Sequence, residues 1–269
     1  MSTPRRNRRS MPHAVLAHAA FGLFAIVYLT NPPSAQEKTV DEVALAHAAP
    51  LPRLDASRLR EEKLTYRITA SLGGAEVNID ASLEIAKESR DDPTLGSGVV
   101  WRIENRAGPP VPFSDAFVLG AEDVALVERR MVRPTPDGQL LESLHFTPQS
   151  VRIGDQEFAL DRPVLADLDI AVLAMPLKEG YEGYARTFLA TPQVVHWKVA
   201  VSGTERVATP AGEFTAYRVS LTCLDMNALT GVVWVSKDAP YRVVQREGPL
   251  IPELGMGRMV SKLVAVGGP

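Results

Sequence analysis

A chain of 269 residues, 45% hydrophobic and 23% charged, can bury a sizeable core without recourse to disorder. One cysteine, Cys223, excludes an internal disulfide. A formal charge of −3, with no Lys/Arg cluster after Arg9, argues against a nucleic-acid partner, whose backbone demands such clusters.

Residues 1–35 read as an export signal. Arg5, Arg6, Arg8 and Arg9 form a basic start with no acid before Glu37, and an apolar run from Ala14 to Leu29 follows, broken by His18. Pro32, Pro33, Ser34 and Ala35 then supply a small-residue cleavage site. The expected cut falls after Ala35 and releases a periplasmic or secreted product. Retention as an anchor competes, although the run is shorter than the roughly 20 residues of a spanning helix. The paired arginines leave the general and twin-arginine export routes both open. No cysteine borders the site, which predicts a product without a lipid anchor. Subtracting four arginines and no acid takes the formal charge from −3 to −7.

Residues 36–60 are Ala- and Pro-rich and lack strand alternation, so they read as a flexible leader with a helical turn near Val43 to Ala48. Residues 61–269 read as a single β-rich domain. Leu64, Tyr66, Ile68 and Ala70 alternate with polar residues, and so do Val77, Ile79, Ala81, Leu83 and Ile85. Gly73-Gly74 between them suits a hairpin. This period of two belongs to an antiparallel sheet with one solvated face. Further strands are predicted at 99–103, 116–119, 124–132, 140–146 and 151–153. A short helix is expected within 163–176, with Leu168, Ala171, Val172 and Met175 at helical spacing and Asp167 and Asp169 in its first turn. Strands return at 195–201, 205–208, 214–224, 232–235, 241–245 and 259–266. The fold class is therefore mainly all-β, a curved antiparallel sheet or incomplete barrel with one short covering helix.

Thr209-Pro210-Ala211-Gly212-Glu213-Phe214-Thr215-Ala216-Tyr217-Arg218-Val219 is followed by Val233-Trp234-Val235-Ser236 and Tyr241-Arg242-Val243-Val244. With Met175-Pro176-Leu177-Lys178-Glu179-Gly180-Tyr181, these segments resemble a family of exported bacterial domains of unknown function, over roughly residues 110 to 247. That family resembles in turn the periplasmic lipoprotein-carrier (LolA-like) superfamily. The resemblance implies a half-closed barrel with a helix across its open side, and it names no catalytic residue.

No reaction motif is present: Gly96-Ser97-Gly98 lacks the spacing of a nucleophile elbow. His47, His145 and His196 are scattered, whereas a metal site needs convergent ligands, so neither cofactor nor metal is expected. Carboxylates fall mostly at turns, and Glu128-Arg129-Arg130, Arg218 and Arg242 suit a solvated strand face. Trp101, Trp197 and Trp234 each lie in a predicted strand. They pack a core or line the concave face against an apolar ligand. The leading expectation is a non-catalytic envelope carrier for a lipid or a lipoprotein acyl chain. An envelope interaction or assembly module and a hydrolase with an unrecognised site are the alternatives. A filled core in place of a cavity would put the interaction module ahead.

Overall fold

The structure, a computed structural model, describes residues 40–268 apart from 73, 93–95, 110–111, 136–137, 189–192, 227–228 and 250–256. The expected signal, 1–35, lies outside the described residues. The chain forms helix α1 (Val40–Ala48), a 3-10 turn (Ala56–Arg58) and strands β1 (Glu62–Leu72), β2 (Ala75–Asp92), β3 (Gly96–Ala107), β4 (Phe113–Gly120), β5 (Leu126–Thr135), β6 (Gly138–Phe146), β7 (Ser150–Ile153) and β8 (Gln156–Ala159). Helix α2 (Leu168–Ala174) follows, then β9 (Glu182–Phe188), β10 (Val194–Thr209), β11 (Gly212–Cys223), β12 (Thr230–Ser236), β13 (Val243–Gly248) and β14 (Arg258–Gly267).

All fourteen strands belong to one sheet, in the order β8-β7-β6-β5-β4-β3-β2-β1-β14-β13-β12-β11-β10-β9. Two antiparallel meanders, β1–β8 and β9–β14, are joined where β1 pairs with β14, from Lys63↔Gly267 to Ser71↔Arg258. The sheet does not close into a barrel, but it curves. Arg129 on β5 donates to the Phe188 carbonyl on β9 at 3.0 Å, and Phe146 on β6 meets the Phe188 ring edge-on at 5.6 Å between centroids.

Alternation explains the strands. Ile79, Ala81, Leu83 and Ile85 are buried while Asp80 between them is exposed, as a sheet with one apolar face requires. Leu72 lies opposite Ala75 where β1 passes into β2, and Gly74 takes the left-handed φ of +82° that a side chain disfavours. Two short strands, β8 and β9, were not anticipated. The segments predicted at 195–201 and 205–208 are one strand, β10, which bends through a bulge between Val201 and Gly203.

Helix α2 sits in the curve of the sheet. Asp167 caps it by accepting from the Asp169 N–H at 2.9 Å. Leu168, Ile170, Ala171, Val172, Leu173 and Ala174 are all buried, in one cluster with Leu64, Ile103, Phe117, Leu144, Val199, Val219 and Val233. Seven residues are too few for a stable free helix, so this burial is what holds it.

Residues 51–60 pack against the core of the sheet. Leu54 and Leu59 lie in the main core, and Asp55 N–H donates to the Ala174 carbonyl at 2.9 Å. Arg58 Nε donates to the Leu173 carbonyl at 3.2 Å. Those carbonyls are left open by the end of α2, so the segment acts as its C-terminal cap.

Candidate functional site

Residues in register on neighbouring strands point to the same face, and successive residues alternate. This rule places the three tryptophans. Val233 is in register with Val219 and Arg246, and Arg246 reaches Asp169 on α2 at 2.6 Å, so their face is the one that α2 covers. Trp197 alternates with Val199 and Val201, and Val201 pairs with Val219, which puts Trp197 on the α2 side. Its indole N–H donates to Thr187 Oγ1 at 2.9 Å. Trp101 alternates with Ile103, which pairs with Ile85. Ile85 alternates in turn with Ala81, the partner of Tyr66, and the Tyr66 phenol lies in the field of Asp169. Trp101 is therefore also on the α2 side. Trp234 pairs with Arg218 and Gln245 and faces the other way. There it donates to Glu205, with the Arg218 guanidinium 5.9 Å from its ring centroid. Two of the three expected ligand-facing residues share a side of the sheet, and Trp234 does not join them.

The described residues on the α2 side are largely buried. Trp101 is 3% exposed within the main cluster, next to Lys87, whose ammonium lies 4.7 Å from its ring. Its indole nitrogen is buried without a hydrogen-bond partner. Near the start of α2, burial pushes the Asp169 carboxyl up to about 6, against the pull of Arg246 and with help from Asp167. Burial also raises the Tyr66 phenol, reinforced by the Asp169 and Glu62 carboxylates. Tyr66 donates to the Val243 carbonyl at 3.0 Å.

A second polar cluster lies on the opposite face, where β9 meets β10, and motif reading missed it. Arg186 and His196 are in register there, on the side away from Trp197. They are 1% and 5% exposed. Arg186 holds Asp161 at 3.2 Å and donates to the carbonyls of Arg162 and Pro163. Burial lowers the Arg186 guanidinium, opposed by Asp161. His196 Nδ1 lies 3.1 Å from an Asp225 carboxylate oxygen. Arg186 Nε and His196 Nε2 are both buried without partners. Helix α1 covers this cluster. The His47 ring meets the His196 ring at a tilt of 36°, 4.4 Å between centroids, and Glu42 accepts from Lys198 at 3.0 Å. A usable signal was the strand pattern itself, because His196 and Lys198 fall on the polar side of a strand whose other side is apolar.

Among the described residues, no three His, Cys, Asp or Glu side chains are grouped to hold a metal ion, and no helix is long and apolar enough to cross a membrane.

Residues 144–248 match a family described as a protein of unknown function, DUF3108. The match runs from β6 to β13 and includes the Thr209–Gly212 hairpin, beginning later than the resemblance read from residue 110. No curated protein matches. Three solved structures show distant likeness. One is a presumptive exported protein with a YmcC-like fold from Bacteroides fragilis, 12% identical, covering 81% of this chain and 99% of its own, with a TM-score of 0.28. Another is a presumptive lipoprotein from Parabacteroides distasonis, 11% identical with the same coverages and a TM-score of 0.30. The third is a DUF1329 family protein from Desulfovibrio piger, 11% identical over 85% of this chain and 89% of its own, at 0.22. Likeness at these scores carries no argument about this chain.

Proposed function

We propose that this protein is a non-catalytic binding and assembly module of the cell envelope, exported by residues 1–35, cut after Ala35, and acting through the surface of its sheet. The observation that carries this reading is α2. Its side chains occupy the curve where an apolar cargo would sit, packed in one cluster with both meanders. A sheet filled in this way binds through its exposed parts, such as the short outer strand β8, where Gln156, Glu157 and Ala159 are exposed.

The carrier reading has one observation in its favour. The Trp101 indole N–H is buried on the α2 side without an acceptor, and such orphans are rare enough to need an explanation. A lipid carbonyl entering as α2 withdraws would supply one.

Photo-crosslinking groups at Glu157 and at Val172, introduced separately in the producing cell, distinguish the two. The assembly reading expects protein adducts at Glu157 and none to lipid at Val172. Lipid adducts at Val172, with lipid co-purifying at one molecule per chain, would overturn it in favour of a carrier.

A further inference from the structure

We propose that α1 is a displaceable strap over the His196–Asp225 pair, docked on the face of β9 and β10 opposite α2 and held so weakly that it opens while the sheet stays folded.

Its own helix-forming strength is small, because nine residues fall below the length at which a free helix is stable in water. Docking must supply the rest, and little apolar surface is used for it. Ala46 is buried, while Leu45 is 58% exposed. The anchors are polar and partly solvated: Lys198 to Glu42, Arg162 to the Ala48 and Ala49 carbonyls at 3.0 and 3.4 Å, and His47 to Asp161 at 3.8 Å. Exposed contacts of this kind contribute little.

The seat also resists the strap. The Asp225 carboxylate occupies Nδ1, and Nε2 is the ring nitrogen left over. Under α1 that nitrogen is buried and unpartnered. The groups facing it leave it unmet: Arg186 spends its two terminal nitrogens on Asp161 and two carbonyls while its Nε makes no hydrogen bond, and His47 presents its ring. Lifting α1 gives Nε2 to water and removes the penalty of an unmet buried group. Helix α2 is the contrast within the same chain, short as well but with every residue except Asp169 apolar and buried.

Two measurements on the full chain test this. In hydrogen exchange, the amides of residues 44–49 are expected to exchange at least 100-fold faster than those of 171–175. Equal protection would overturn the proposal. Diethylpyrocarbonate acylates a free imidazole nitrogen, so the covered His196 should react more slowly than the exposed His145. The double variant Glu42→Ala/Arg162→Ala should raise the His196 rate at least fivefold and leave the His145 rate unchanged. An unmoved His196 rate in that variant, or a His196 rate equal to that of His145 in the unaltered protein, would count against the strap. If the variant raises both rates it has lost its fold, and the exchange comparison decides.

Discussion

Asp169 and Arg186 show how single ionisable groups set stability here. Asp169 has its carboxyl pushed to about 6 from an ordinary 3.8, by burial first. A raised acid favours the protonated folded form. Its contribution to stability is therefore fully present below about pH 4 and is lost as pH rises through about 6. Asp169→Asn should flatten the stability–pH curve between these limits. It should leave the variant ahead of the unaltered protein at pH 7.5 by up to roughly 3 kcal/mol, read from urea unfolding at several pH values. Arg186 is a different case, a buried guanidinium that ties the 161–163 turn to β9. Lysine cannot reproduce its forked contacts. Arg186→Lys should cost about 2–4 kcal/mol in the same assay, and a change below about 0.5 kcal/mol would show that the carbonyls find other donors.

The elements separate what a sequence displays from what it conceals. Strands β1 and β2 were plain because apolar and polar residues alternate along most of their length, and one solvated face writes that period directly. Strands β8 and β9 were hidden. Gln156–Ala159 is too short to show a period, and Glu182–Phe188 buries Ala185, Arg186, Thr187 and Phe188 in succession, covered on both faces. The packing of segment 51–60 has no sequence signal for another reason. It contributes isolated anchors, Leu54 and Leu59, to a core made by other elements, and isolated anchors carry no period. The Arg186–His196 pair was concealed likewise, since it exists only through the register of two strands. Leu59→Ala should cost about 2–4 kcal/mol by urea unfolding, against nearly nothing if the segment were a tether. At the β10–β11 turn, Gly212 has φ +133°. Gly212→Ala should cost about 1–2 kcal/mol from backbone strain alone, since a Cβ there meets nothing within 4 Å.

Across the whole molecule, the two meanders share one buried cluster with α2, so neither half keeps its core when the other unravels. Tryptophan fluorescence and far-ultraviolet circular dichroism should report one coincident urea transition. Two separated transitions would show that β1–β8 and β9–β14 are independent units. The joint between the halves has a further consequence. It is made by β1 with β14, from Lys63↔Gly267 onward, the first strand waiting for the last. In a chain that emerges N-terminus first during synthesis, β1 and β13 keep bare edges until β14 emerges, and bare edges invite pairing with other chains. Contacts this distant in sequence also form slowly. The chain therefore passes through an unfinished stage, and the last strand to form is the one that ends the exposure.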